Sequence, residues 1–267
     1  MISESITKLS LPYRGGSKTV RVFVPAHEEG ETFPVVYMTD GQNLFESENL
    51  QFGCWYTREA VAEERAQSGM AAVIVGIHND EAPWERTNDL TPAGIGPLVE
   101  SPEIPPEVKA LMAPRGEEFD AFVVDTVMPA VEARFPVQKG RQSTAFCGSS
   151  SGGLQSYFTA LSHPDKFCAA GVFSPAFLFY SPEDLRSWTV AQLGNDMPFL
   201  YLYAGGGDNL EQVIAMFTEQ AYDMLTEFYP PEKLCEVVLP EEKHHESAWA
   251  PRFSDFLHTF LARREEF

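Results

Sequence analysis

The sequence has few cysteines and no long apolar run. Four cysteines are scattered through its 267 residues, and none forms a Cys-x-x-Cys pair. This spacing argues against a disulfide scaffold and a thiolate metal site, and it is typical of buried thiols in a reducing compartment. No apolar run is long enough to span a membrane, and the first residues lack the basic and apolar segments of a signal peptide. These features predict a cytoplasmic protein without a membrane partner.

Basic residues are also scarce, since 19 Lys and Arg stand against 39 Asp and Glu and give a formal net charge of −20. Such a surface repels phosphate groups, so a nucleic-acid partner is not expected. Hydrophobic residues make up 44% of the chain, which is enough for a substantial core. No repeat, low-complexity segment or linker divides the sequence. We therefore expect a single domain over residues 1–267, and whether its copies form a homo-oligomer stays open.

Apolar strands alternate with helical segments along the chain. Residues 3–11 and 18–25 alternate polar and apolar positions around a Gly-Gly turn, which predicts an antiparallel hairpin. Short apolar runs predict buried strands at 35–39, 71–77, 143–147, 169–174, 198–204 and 236–239. Helical segments connect them. The pattern predicts an α/β fold with a mostly parallel central sheet, helices on both faces and an N-terminal antiparallel hairpin.

Residues 78–116 interrupt this alternation, because Pro, Gly and acidic residues replace the periodic pattern. A connection of this length inside a compact domain is usually functional or mobile. We expect a loop or lid that covers the functional site, with Trp84 and Arg86 as candidate substrate contacts, and a purely structural excursion is the alternative. The next helix, predicted at 119–134, should be kinked or broken at Pro129, which lacks a backbone N–H.

A Gly-x-Ser-x-Gly pattern follows the predicted strand at 143–147, and a helix is predicted at 154–161. A serine on a tight strand-to-helix turn stands exposed above the sheet, and residues two positions away must lack colliding side chains. Gly148 and Gly152 meet this need. Ser150 is therefore a candidate nucleophile, and the N–H of Ser151 can help to hold an oxyanion. The alternative is a structural Gly-Ser loop.

A nucleophilic serine needs a base, and the base needs an acid that orients it. In this fold the expected chain order is Ser, then Asp or Glu, then His, each after a strand. Asp208 follows the predicted strand at 198–204, and His244 or His245 follows the last strand. Three elements in the right order favour a catalytic site with Asp208 as the acid.

Asp40-Gly41-Gln42-Asn43 follows the predicted strand at 35–39. Ligands collect at the carboxyl ends of strands in an open α/β sheet, so this loop could line the site and present a second oxyanion N–H from Gln42 or Asn43. An Asx turn made by Asp40 is the structural alternative. The neighbouring histidines, His244 and His245, do not indicate a metal site because no His-x-x-x-His spacing occurs, and no cofactor is expected.

Four segments together resemble the esterase family of the α/β-hydrolases that includes enterochelin-esterase-like proteins, feruloyl esterases and acetylxylan esterases. They are Asp-Gly-Gln-Asn-Leu-Phe at 40–45, Gly-Ser-Ser-Ser-Gly-Gly at 148–153, Val-Phe-Ser-Pro-Ala-Phe at 172–177 and His-His-Glu-Ser-Ala-Trp at 244–249. The resemblance covers about residues 18–262. It implies a serine carboxylesterase with an α/β-hydrolase fold.

The resemblance also implies roles for single residues. It assigns Ser150 as nucleophile, Asp208 as acid, His244 as base, and the Gly41–Gln42 loop with Ser151 as the oxyanion hole. The expected substrate is a small-molecule ester, either a small ester or an aryl or sugar ester. Residues expected to contact it are Asp40, Gly41, Asn43, Trp84, Phe177 and Trp249. Two alternatives remain open: an acyltransferase on the same scaffold and a non-catalytic binding protein.

Overall fold

The computed structural model describes residues 1–46, 53–80, 82, 84–98, 107 and 110–267. Within these ranges the strands form an eight-stranded sheet. The strands are β1 (Ser5–Tyr13), β2 (Gly16–Val24), β3 (Val35–Met38), β4 (Val73–Ile77), β5 (Thr144–Ser149), β6 (Ala169–Phe173), β7 (Phe199–Gly205) and β8 (Leu234–Leu239).

The order of the strands in the sheet is β1-β2-β4-β3-β5-β6-β7-β8. β2 pairs antiparallel with β1 and with β4, and all further pairs, from β4 across to β8, are parallel. The central strands β3, β4, β5 and β6 are fully buried, as expected for parallel strands covered on both faces. The predicted α/β fold with an N-terminal antiparallel hairpin is confirmed.

The hairpin turns at Arg14 and Gly15, whose φ angles are 49° and 74°. Two consecutive positive φ angles give the turn a twist that matches the right-handed twist of the strands. Glycine adopts such angles without steric cost, so the position of Gly15 explains the tight connection between β1 and β2.

The helices are α1 (Thr57–Ser68), α2 (Glu85–Asp89), α3 (Gly116–Phe122), α4 (Met128–Glu132), α5 (Ser151–Ser162), α6 (Pro182–Gln192), α7 (Asn209–Thr226) and α8 (Glu246–Arg263). α1 packs against α8, whereas α5 packs against α3 and α6, and α6 against α7. These contacts define two groups of helices, α1 with α8 and α3 with α5, α6 and α7. The strand β6 contacts α5 of the second group and α8 of the first. The helices thus cover both faces of the sheet.

The break expected at Pro129 takes the form of a π-helical segment, Val123–Val127, that joins α3 to α4. Proline cannot donate a backbone hydrogen bond, and its ring would collide with the carbonyl group four residues earlier. The wider π turn makes room for the ring, so the segment stays helical through Pro129 instead of ending there.

The described part of residues 78–116 contains regular structure that the sequence does not predict, namely α2 and a short 3₁₀ turn (Ala93–Ile95). Buried Asp89 in α2 accepts hydrogen bonds from Tyr13 at 3.0 Å and from Arg115 at 2.7 Å, and it pairs with Lys18 at 2.7 Å. These contacts attach α2 firmly to the N-terminal hairpin.

Candidate active site

Ser150 lies at the turn between β5 and α5 with φ 61° and ψ −125°. This backbone conformation is rare for a residue with a side chain and costs free energy, so the surrounding hydrogen bonds must hold it. The N–H of Ser150 donates to the carbonyl oxygen of Phe173 at 2.9 Å, and its own carbonyl oxygen accepts from Leu154 and Ala176. The strain and the bonds that maintain it match the predicted nucleophile turn.

Close backbone approach explains the two glycines that flank Ser150. A Cβ atom on Gly148 would lie 2.7 Å from the carbonyl oxygen of Gly152 and would also collide with the hydroxyl of Thr39. A Cβ atom on Gly152 would meet the same hydroxyl. Both positions therefore require glycine, which is the physical content of the Gly-x-Ser-x-Gly pattern.

His244 contacts a carboxylate, but the carboxylate is that of Glu211. Nδ1 of His244 lies 2.6 Å from Oε2 of Glu211, and the Glu211 side chain is fully buried. Because a carboxylate accepts the hydrogen bond, Nδ1 carries the hydrogen and Nε2 is left free to act as a base. The expected contact between Asp208 and the His244 ring is not present. Glu211 takes the place that the sequence analysis assigned to Asp208.

Asp208 binds backbone groups instead. It is the N-cap of α7, where its Oδ1 accepts from the N–H of Glu211 at 2.9 Å, and its Oδ2 accepts from the N–H of His244 at 2.9 Å. These bonds to Glu211 and His244 hold the pKa of Asp208 below its usual value. Asp208 therefore positions the segment before α8, while its carboxylate does not reach the imidazole ring.

The spacing of Asp208 and Glu211 carries a sequence signal for a helix start. An Asp followed three residues later by Glu is typical of such a start, where the first residue caps the backbone. The Glu of this motif can also bind a backbone N–H, so the spacing does not identify Glu211 as the partner of His244. That contact is set by tertiary structure.

Ser174 is a further polar contact of Glu211 that the sequence analysis did not single out. Its hydroxyl donates to Oε1 of Glu211 and accepts from Nε1 of Trp249 at 2.9 Å, and its φ angle is 40°. Oε1 also accepts from the N–H of Gly205 at 2.7 Å. The Trp249 ring packs edge-on against the His244 ring at 5.0 Å. Glu211 and His244 are thus held in one orientation by several independent contacts.

His245, the alternative base, caps the start of α8. It is the N-cap residue, and its Nδ1 accepts from the N–H of Ser247 at 3.1 Å. Its side chain is exposed and contacts neither Glu211 nor Asp208 among the residues that the structure describes. Of the two histidines, His244 is the one whose ring contacts a buried carboxylate.

Of the two N–H groups expected to bind the oxyanion, that of Gln42 lies in the loop after β3 and that of Ser151 at the start of α5. Within the described ranges, the backbone N–H groups of Gln42 and Ser151 donate to no protein acceptor. The side chain of Gln42 is turned away to accept from the N–H of Asn79 at 3.2 Å. Gly41 lies directly against the backbone of Gly76, since a Cβ atom on Gly41 would be 2.7 Å from the nitrogen of Ile77. This close packing of the loop leaves the N–H of Gln42 available.

Asp40 anchors the same loop. Its carboxylate receives two hydrogen bonds from Arg86, at 2.6 and 2.9 Å, and others from Asn79 and Thr39. Burial raises the pKa of Asp40, but Arg86 and the hydrogen bonds outweigh burial and keep it below its usual value. Arg86 also donates to the carbonyl oxygen of Ser149 at 3.1 Å. The guanidinium group thus joins the loop after β3 to the end of β5, immediately before Ser150.

A cavity of about 250 Å³ brings Ser150 and His244 together. Its other lining residues are Asp40, Gln42, Asn43, Asn79, Arg86, Ser149, Glu246 and Trp249. In the described part of the chain, the hydroxyl of Ser150 and Nε2 of His244 have no hydrogen-bond partner. The candidate nucleophile and the candidate base therefore line one cavity.

A model of the family described as "Putative esterase" matches residues 13–196, which is more than half of the chain. The chain belongs to this esterase family. The matched residues include the loop after β3 and Ser150, whereas Glu211 and His244 lie beyond them. The protein is thus a carboxylic ester hydrolase, and the contact between Glu211 and His244 lies in the part of the chain that the match does not reach.

The esterase is similar to further proteins over nearly its whole length. It is 20% identical to the uncharacterized protein YbbA of Bacillus subtilis (strain 168), over 92% of this chain and 93% of that one. Among solved structures, the BES protein from Bacillus cereus has a TM-score of 0.73 at 17% identity, with 97% and 95% of the two chains covered. A ferulic acid esterase has a TM-score of 0.69 at 15% identity, covering 98% and 99%. At these identities the likeness shows a common fold.

Not all residues predicted to bind substrate line the cavity of the esterase. Asp40, Asn43 and Trp249 do. Phe177 does not: it is buried, packs against Tyr157 at 5.1 Å and lines a separate apolar crevice near α6 and α7. Trp84 precedes α2 with its side chain 36% exposed, outside the cavity lining.

Within the described ranges, no group of three or more His, Cys, Asp or Glu residues is arranged to hold a metal ion. The helices found there include none that is both long enough and apolar enough to cross a membrane.

Proposed function

We propose that this esterase cleaves its substrate through Ser150, His244 and Glu211, by way of an acyl-enzyme. The observation that carries the proposal is the 2.6 Å contact between Nδ1 of His244 and buried Glu211, in a histidine that lines the same cavity as Ser150. A serine hydroxyl is a weak nucleophile until a positioned base removes its proton.

The steps follow from the positions of these groups. Nε2 of His244 takes the hydroxyl proton as the oxygen of Ser150 attacks the ester carbonyl, and Glu211 stabilises the imidazolium that forms. The N–H groups of Gln42 and Ser151 hold the oxyanion of the tetrahedral intermediate. His244 then gives the proton to the leaving alcohol and activates a water molecule that cleaves the acyl-enzyme.

We propose a small, aryl or sugar ester as the substrate. The cavity volume of about 250 Å³ suits a compact acyl or aryl group, and Trp249 supplies an aromatic wall. A ferulic acid esterase, which by its name acts on esters of ferulic acid, is among the similar structures. Arg86 lines the cavity, but its charge is paired with that of Asp40. It therefore does not favour a strongly anionic siderophore ester.

The test compares p-nitrophenyl acetate hydrolysis by the parent, Ser150→Ala and Ser162→Ala. Ser162 lies at the far end of α5, outside the cavity lining, and is a matched control. We expect Ser150→Ala to lose activity by a factor on the order of 10³ or more, and Ser162→Ala to keep it. A fluorophosphonate probe should label the parent and Ser162→Ala only. Equal hydrolysis and labelling of the Ser150→Ala protein would contradict the proposal.

A further inference from the structure

The loop that carries the oxyanion donor is tied by one side-chain hydrogen bond to the segment that carries the base. Nδ2 of Asn43 donates to Oε1 of Glu246 at 2.9 Å, and both residues are buried, with 5% and 6% of their surfaces exposed. We propose that Asn43 and Glu246 form a positioning pair. The pair maintains the relative position of the N–H of Gln42 and the ring of His244. The inference rests on the proposed function.

Asn43 is held from three directions. Its N–H donates to the carbonyl oxygen of Asp40 at 2.8 Å, and its own carbonyl oxygen accepts from the N–H of Trp55 at 2.8 Å. The bond to Glu246 fixes the side chain. Because Gln42 immediately precedes Asn43, a displacement of Asn43 moves the N–H that is proposed to bind the oxyanion.

Glu246 is close to His244 in the chain, as Asn43 is to Gln42. It is the first residue of α8, two positions after His244, and the same helix carries Trp249 against the His244 ring. Trp249 stacks in turn on Trp55 at 5.6 Å. A change in the position of Glu246 is therefore transmitted to the residues that orient the imidazole.

The other contacts of the loop are with elements that do not carry His244. Asp40 is bound by Arg86 from α2, and Gly41 packs on Gly76 of β4. Among the described residues, the Asn43–Glu246 bond is the only side-chain hydrogen bond between the loop and residues 244–249. If it is lost, the loop and residues 244–249 are still linked through Trp55, whose N–H donates to the carbonyl oxygen of Asn43 and whose ring stacks on Trp249. Among the described residues, no side-chain hydrogen bond then joins the two segments directly.

This arrangement predicts an effect on the transition state more than on binding of the ground state. Misplacement of a reacting group by a fraction of an ångström lowers the rate of the chemical step, because the donor N–H no longer meets the oxyanion. A pair that acts through one bond should also behave as a unit, so that removing both partners costs no more than removing one.

The experiment measures phosphonylation of Ser150 by an alkyl fluorophosphonate in Asn43→Ala, Glu246→Ala, the double variant and Glu246→Gln. We expect both single alanine variants to lower the maximal rate constant about tenfold with the half-saturating probe concentration within about twofold. The double variant should match the slower single variant. Glu246→Gln should stay within about threefold of the parent, because its amide oxygen still accepts from Asn43.

Glu236→Gln is the matched control. Glu236 lies on β8 away from the cavity, and like Glu246 it has a pKa raised by burial, to about 6, against about 7 for Glu246. It should react like the parent. Rate losses that multiply in the double variant, or alanine variants that react normally while their thermal stability falls, would overturn the inference. Failure of the parent itself to react would overturn the proposed function and the inference with it.

Discussion

Two carboxylates lie three residues apart near His244, and they serve different groups. Glu211 is fully buried and accepts from the ring, from Ser174 and from Gly205. Asp208 accepts from two backbone N–H groups. A carboxylate that binds the imidazole can select the tautomer with a free Nε2 and stabilise the imidazolium, whereas a carboxylate that binds only backbone groups does neither.

This difference predicts unequal effects of neutralising each acid. Glu211→Gln should lower kcat for p-nitrophenyl acetate by about 10³-fold or more, because the wrong tautomer is favoured and the imidazolium loses its partner. Asp208→Asn should lower kcat by about tenfold at most, since its amide oxygen still accepts a backbone hydrogen bond. The comparison needs both proteins folded, as judged by circular dichroism. A larger loss in Asp208→Asn would return the role of the acid to Asp208.

At the level of elements, α5 depends on a contact at its C-terminal end. His163 follows the helix, and its Nε2 lies 2.6 Å from Oδ2 of Asp120 in α3. The hydrogen bond to Asp120 raises the pKa of His163, and burial opposes this only in part. Because Ser150 immediately precedes α5, this contact holds the far end of the helix that follows Ser150.

The raised pKa makes the contribution of this contact to stability dependent on pH. A histidine whose pKa is raised on folding adds stability that is fully present below the unfolded pKa, about 6.5, and is lost as the pH rises through the folded value. Asp120→Asn should therefore destabilise the protein by about 1 kcal/mol more at pH 5.5 than at pH 9. Urea unfolding at both pH values measures this difference. Asp255→Asn, in an exposed pair with Arg252, is the control and should show no such trend.

At the level of the whole molecule, Arg86 connects segments that are distant in sequence. It lies in α2, within residues 78–116, and it contacts Asp40 after β3 and the carbonyl oxygen of Ser149 at the end of β5. Asp89 in the same helix is bound to the hairpin. Within the segment predicted as a loop or lid, α2 therefore links the residues that line the cavity to the hairpin.

Loss of Arg86 should destabilise the molecule, because Asp40 would remain buried without a cation. We expect Arg86→Ala to lower the free energy of unfolding by about 2–3 kcal/mol, and a second substitution, Asp40→Asn, to recover part of it. Arg252→Ala, which breaks an exposed pair, should change it by less than about 0.5 kcal/mol. Chemical denaturation of the four proteins provides the values. An Arg86→Ala protein as stable as the parent would show that the pair does not hold the cavity.

Much of the fold and part of the candidate site were predictable from the sequence, because they depend on local patterns. Strand and helix periodicity comes from which face of an element is buried, and the spacing of Gly148, Ser150 and Gly152 reflects the sterics of one turn. The position of Phe177 was not predictable in this way. An aromatic residue after a strand can face the cavity or the core, and only the packing of Tyr157 and α6 decides between them.

The sequence by itself determined the α/β architecture, the strained turn at Ser150 and the segment that carries His244, since each follows from residues close together in the chain. The tertiary structure alone decided that Glu211 and not Asp208 orients the histidine, and that Asn43 meets Glu246. Those choices depend on contacts between β6, α7 and the segments around them, across as many as 203 positions of sequence. Local propensity carries no information about such contacts, because the chain must first fold to bring the groups within hydrogen-bond distance.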